Sequence, residues 1–157
     1  MFHIAQVNIG RMVAPLDSPT MAGFVGQLAA INAIADSTAG FIWRLQTPTG
    51  DATSIRVFDD DRMMINMSVW ESIEALHEFS YKTSHAGVMS QRANWFERLT
   101  TPYMALWWIP VGTVPTPEDG KARLDHLEKH GPTAHAFTFK TRFPMPTSDS
   151  ATGKDNT

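Results

Sequence analysis

The chain has 157 residues, 43% of them hydrophobic and 18% charged, which suits one domain with a true core and excludes a fully disordered chain. A net charge of −3 and a pI near 6.0 argue against a nucleic-acid surface. The absence of cysteine excludes disulfides, zinc ribbons and thiol nucleophiles.

The first predicted element is a strand over residues 3–10, "HIAQVNIG". Ala5, Val7 and Ile9 alternate with Gln6 and Asn8. "PLDSPTM" then gives a helix start, with Ser18 as N-cap and Pro19 at the first helical position. Met21, Phe24, Val25, Leu28, Ile31 and Ala35 follow at helical spacing, a stripe expected to face a sheet. "DSTAG" closes that helix. "FIWRLQ", 41–46, is the second strand, and the turn-rich "TPTGDATS" after it is expected in solvent. "FDDDR", 58–62, lacks the glycine and terminal Glu of a calcium loop and reads as a solvated turn.

Residues 62–70 form the third strand. Two helical segments are expected next, over 71–81 and roughly 84–99. "YMALWWIP", 103–110, is the fourth strand, ended by Pro110. A further helix starts with Thr116 as N-cap and Pro117 at N1, carries Glu118 and Asp119 in its first turn, and stops at Gly131. Residues 134–140 read as a fifth strand, and residues 142–157 as a flexible polar tail beyond a domain spanning 1–141.

The order β-α-β-β-α-β, with a split second helix and an added C-terminal helix and strand, predicts an α+β, ferredoxin-like fold. Such a fold covers one sheet face with helices. Ala5, Val7, Ile9, Ile65, Met67 and Val69 make the apolar face expected under them. Gln6, Asn8, Asn66, Ser68 and Trp70 then fall on the far face. Neutral amides, a hydroxyl and large aromatics suit an enclosed space more than a solvated surface. A second copy packed sheet to sheet would enclose it, so a homodimer is expected.

Within the segment 84–99, residues His85, Val88, Met89, Arg92, Trp95 and Phe96 recur at the spacing of one helix face. His85 and Arg92 would stack two turns, about 10 Å, apart. His85 is a candidate general base or haem ligand, and Arg92 a candidate clamp for an anion. The candidate catalytic residues are therefore His85, Asn8 and Arg92. Gln6, Asn66, Ser68, Trp70, Met89, Trp95 and Trp108 are the candidate substrate-binding residues. No dinucleotide fingerprint, phosphate loop, metalloprotease helix or nucleophile elbow is present. No metal site is expected beyond His85 if haem is bound. No stretch reaches the roughly 20 apolar residues of a membrane span, and the N-terminus does not read as a signal peptide. A cytoplasmic protein with neither membrane nor nucleic-acid partners is the expectation.

"SVWESIEALHEFSYKTSHAGVMSQRANWFERL", "PYMALWWIPVGTVPT", "LEKHGPTAHAFTFK" and the opening "HIAQVNIGRMVAPLDSP" together resemble the DUF3291 family, over residues 3–140. Asn8, Trp70, His85, Arg92, Trp95, Phe96, Trp107, Trp108, His130 and Gly131 match its pattern. The resemblance implies the dimeric α/β-barrel superfamily but no reaction. That superfamily holds cofactor-free monooxygenases, haem-degrading and haem-dependent enzymes, isomerases and members without catalysis. Three functions follow as expectations. The first is a cofactor-independent, monooxygenase-like oxidoreductase acting on a hydrophobic or aromatic molecule. The second is a haem enzyme using His85, and the third a non-catalytic binding or assembly module.

Overall fold

A computed structural model describes residues 1–48, 50–53, 55–85 and 91–147, except for the side chains of residues 84 and 85. Four strands, β1 (Phe2–Arg11), β2 (Phe41–Arg44), β3 (Met63–Trp70) and β4 (Met104–Pro110), form one sheet in the order β2-β3-β1-β4. Every neighbouring pair is antiparallel. Helices α1 (Ala22–Ser37) and α2 (Ile73–His85) connect β1 to β2 and lead from β3 toward β4. This is the ferredoxin-like order expected from the sequence. No helix among the described residues is long and apolar enough to cross a membrane.

The register fixes the two faces. Asn8 lies opposite Asn66, Gln6 opposite Ser68 and Ile4 opposite Trp70. Because side chains alternate along a strand, Ile4, Gln6, Asn8, Asn66, Ser68 and Trp70 share one face. The expected assignment of helices to faces is reversed. Ile4, Trp70 and Leu106 pack against Ala35 of α1 and Ile73 and Leu76 of α2. The protomer's own helices therefore cover the amide face around Ile4 and Trp70, while Asn66 toward its other end is exposed.

The apolar face is covered by the C-terminal helix α4 (Pro117–His130). Ala5, Val7, Met67, Val69 and Trp107 pack against its Leu124 and Leu127. Gly120 lets the helix press close. A Cβ there would come 2.9 Å from Val7 Cγ2 and 3.1 Å from Met67 Sδ. The helix starts as the sequence predicts. Thr116 Oγ1 accepts from Asp119 N at 3.1 Å, and Asp119 Oδ2 accepts from Thr116 N at 2.8 Å, a complete capping box. At its end the Gly131 N–H donates to the Leu127 carbonyl at 2.9 Å.

Other elements depart from expectation. Ser18 does not cap α1 through its side chain. Its hydroxyl donates to the Pro15 carbonyl at 2.6 Å, and Pro19–Met21 make a 3-10 turn ahead of the helix. Val25, placed on the sheet-facing stripe, is 43% exposed. The helix expected over 84–99 is not continuous. Within it α3 (Arg92–Trp95) is a single turn, after which the chain extends beside the end of β1. Val13 N donates to the Trp95 carbonyl and Glu97 N to the Arg11 carbonyl, at 2.9 and 2.8 Å. These bonds use backbone groups that a longer helix would need.

The fifth strand is reduced to two isolated bridges, Leu106 to Phe137 and Thr133 to Ala136, because the chain turns around them. Beyond the boundary expected at 141, Phe143 is still in contact with the domain. That residue packs with Phe137, and its carbonyl accepts from Trp108 Nε1 at 2.9 Å.

Candidate functional site

Between the amide face and α1 lies a partly enclosed cavity of about 140 Å³. Its sheet wall is Asn8, Gly10, Met64 and Asn66. Its helix wall is Phe24, Leu28, Ile31 and Asn32, and Arg92 and Phe96 flank it. The loop between β2 and β3 adds Asp51, Ala52 and Thr53. That loop was expected in solvent. Arg44 holds part of it over the cavity, with Nη1 donating to the Gly50 carbonyl at 2.6 Å while Nε pairs with Asp36 of α1 at 2.9 Å.

A hydrogen-bonded layer lies beyond the cavity floor. Gln6 and Ser68 are buried, at 3% and 4% exposure. Ser68 Oγ accepts from both Gln6 Nε2 and Trp70 Nε1, each at 2.8 Å. Gln6 Nε2 also donates to Asn66 Oδ1 at 3.2 Å. The oxygen of Asn66 is thus occupied, and its NH2 group is left for the cavity. Asn8, half-buried beside it, makes no side-chain hydrogen bond among the described residues.

Arg92 lies against two rings. Its Cζ sits 5.3 Å from the Phe96 ring centre and 5.6 Å from that of Tyr103. It forms no ion pair and no hydrogen bond among the described residues. Asp51, the carboxylate lining the cavity, turns back on its own loop. Its Oδ1 accepts from Thr53 N and Thr53 Oγ1 at 2.9 and 2.6 Å.

The cavity thus gathers Asn8, Arg92 and Asn66 of the residues proposed from sequence. Gln6 and Ser68 sit behind it and orient Asn66. Trp70, Trp95 and Trp108 do not line it. Trp70 is fully buried, stacked 5.1 Å from Phe79. Trp95 packs with Phe24 at 5.7 Å, and Trp108 packs with Phe137 and Phe143. Met89 lies outside the described residues, as does the side chain of His85, whose backbone ends α2. The sequence reading missed Phe96 as a wall, although its ring was in the aromatic run, and missed Asp51 and Thr53 altogether.

Away from the cavity, "FDDDR" is more than a solvated turn. Asp60 Oδ2 pairs with Arg11 Nε at 2.8 Å. The Arg62 backbone N–H and Arg11 hold its carboxyl below the usual range. On α4 the His126 ring lies 4.5 Å from those of both His130 and His135. Arg123 Nη1 donates to His135 Nδ1 at 2.9 Å and to its carbonyl at 2.8 Å. Among the described residues no trio of His, Asp or Glu is arranged to hold a metal.

A family model, "Domain of unknown function (DUF3291)", matches residues 3–153. The chain belongs to the DUF3291 family. Two solved structures resemble it. One is NE2512, a protein of unknown function from Nitrosomonas europaea, with TM-score 0.49 and 11% identity over 74% of this chain and 97% of that one. The other is a single-residue mutant of SnoaB, a cofactor-independent oxygenase from Streptomyces nogalater, with TM-score 0.46 and 14% identity over 71% and 95%. No curated protein matches the chain.

Haem, the cofactor the DUF3291 resemblance left open, finds no iron ligand among the described side chains of this cavity: none of its lining residues is a histidine, and the side chain of His85 lies outside the described residues.

Proposed function

We propose that this DUF3291 protein is a monooxygenase-like oxidoreductase that acts, without a cofactor, on a small hydrophobic or aromatic molecule held in the cavity. One observation carries the reading. The Asn8 amide, the Asn66 NH2 group and the Arg92 guanidinium border one hollow of mixed polar and apolar lining, and no protein acceptor holds them among the described residues. Donors fixed in advance stabilise negative charge as it develops.

A substrate CH2 group beside a ring or carbonyl loses a proton to a base and becomes an enolate. His85 is the residue assigned to take that proton. The amides stabilise the enolate oxygen, which makes the carbanion form accessible. The enolate carbon gives its electrons to dioxygen and forms a carbon–oxygen bond. Cleavage of the O–O bond and loss of the second hydrogen leave a carbonyl, and the other oxygen departs as water. The CH2 group is oxidised and dioxygen is the oxidant, so no external reductant is needed.

The test is a panel of single-ring enolisable ketones incubated with the protein under labelled dioxygen. The expected result is oxygen uptake with one label atom per product. Asn8→Leu should lower turnover by about 10²-fold, the usual effect of deleting one oxyanion donor. Ligands that bind without any oxygen uptake would leave a binding module in place of an enzyme.

A further inference from the structure

The geometry points to a single-ring monocarboxylate as the ligand class, with Arg92 at the cavity mouth holding its carboxylate. This rests on the cavity reading above and narrows it.

Arg92 and Phe96 line the partly enclosed cavity and also the wide open groove beside it, which runs along Val13, Glu97 and Tyr103. They therefore stand where the two meet. A guanidinium has five N–H donors in a planar fork that fits a carboxylate in two-point contact. At Arg92 none of those donors meets a protein acceptor among the described residues. Glu97, the nearby carboxylate in the groove, is already paired with Arg11 Nη1 at 2.9 Å. The rings of Phe96 and Tyr103 hold the guanidinium by its face. Its edge, where the donors lie, is left for a ligand.

Size sets the other half of the inference. The partly enclosed volume of about 140 Å³ matches one six-membered ring, so the acid group of such a ligand falls at the mouth. The far side carries the opposite sign. Asp51 comes from the loop beyond β2, the edge strand, whereas Phe96 beside Arg92 packs on Gly10 of β1. A second carboxylate on the ligand would meet Asp51, so dicarboxylates are disfavoured.

The test compares benzoate, its neutral isostere benzamide, and terephthalate by calorimetric titration. The expected result is benzoate binding at least about tenfold more tightly than either of the others, since hydrogen bonds to charged groups carry that much. Arg92→Gln should bring benzoate and benzamide to parity. Arg92→Lys, which keeps the charge, should retain the preference and shows that loss of folding is not the cause. Benzamide binding as tightly as benzoate, or a preference unchanged in Arg92→Gln, overturns the charge assignment and leaves the cavity reading intact. If none of the three binds, both fall.

Discussion

Gly10 lies under the ring of Phe96, and a Cβ at position 10 would come 2.8 Å from Cδ1 of that ring. Phe96 is fixed from the other side by its edge-on contact with Phe24, 5.0 Å between centres, and by its bridge to Met12. Gly10→Ala should therefore push the ring and deform the cavity wall. Overpacking of this kind costs about 1–3 kcal/mol. The expected outcome is lower stability in urea unfolding together with weaker ligand binding. Gly120→Ala is the comparison. It strains α4 against Val7 and Met67 on the opposite face, so it should lower stability by a similar amount without altering affinity.

Ser68 is the shared acceptor beyond the amide wall. Ser68→Ala leaves Trp70 Nε1 buried without an acceptor and leaves Gln6 only Asn66. An unsatisfied buried donor costs about 1–3 kcal/mol. Urea unfolding of the variant should show a loss in that range. Asn66 would also lose its fixed orientation, since Gln6 could turn toward the vacated space. A variant as stable as the wild type would mean that the layer is not closed as described.

How far the sequence disclosed this arrangement depends on the kind of signal. The α4 caps were readable because each acts locally, Thr116 with Asp119 at the start and Gly131 on Leu127 at the end. The alternation in β1 and β3 was readable because strand period is local, and the register joins those sets as expected. Which helices cover which face was not readable. An apolar strand face accepts any apolar helix stripe, and here Leu124 and Leu127 took the place assigned to α1 and α2. The stripe through 84–99 misled for a related reason. Trp95 and Phe96 are apolar because they pack with Phe24, but Phe96 does so from extended backbone. The loop contribution of Asp51 and Thr53 depends on the reach of Arg44 to Gly50, a tertiary contact with no local signature.

The histidine cluster gives a pH prediction. Burial, followed by the nearby cations, lowers the affinity of His126 and His135 for protons. For His126 the cations are His130 and Arg123, and for His135 they are Arg123 and His126. Asp119 also acts on Arg123. A histidine whose folded pKa lies below its unfolded value takes up a proton first in the unfolded chain. Stability is then full above the ordinary value of about 6.5 and falls as pH drops below it. Thermal unfolding between about pH 7.5 and 5 should show that decline. Replacing both residues, His126→Gln with His135→Gln, should flatten it. A wild-type profile that rises toward acid would contradict the sign.

The placement of the amide face changes what a dimer has to do. Sheet-to-sheet pairing was expected to enclose the ligand, but α1 and α2 of the same chain already lie over that face. Asn8, Phe24, Asn66, Arg92 and Phe96 of a single chain already border the cavity. Binding should therefore saturate at one ligand per chain. Affinity should not change as protein is diluted through any association equilibrium, because a site completed by a partner would lose ligand as the partner leaves. Calorimetry at two protein concentrations on either side of a transition seen by light scattering checks this. Affinity that collapses on dilution would show that a second copy supplies part of the wall, and would return the dimer to the centre of the site.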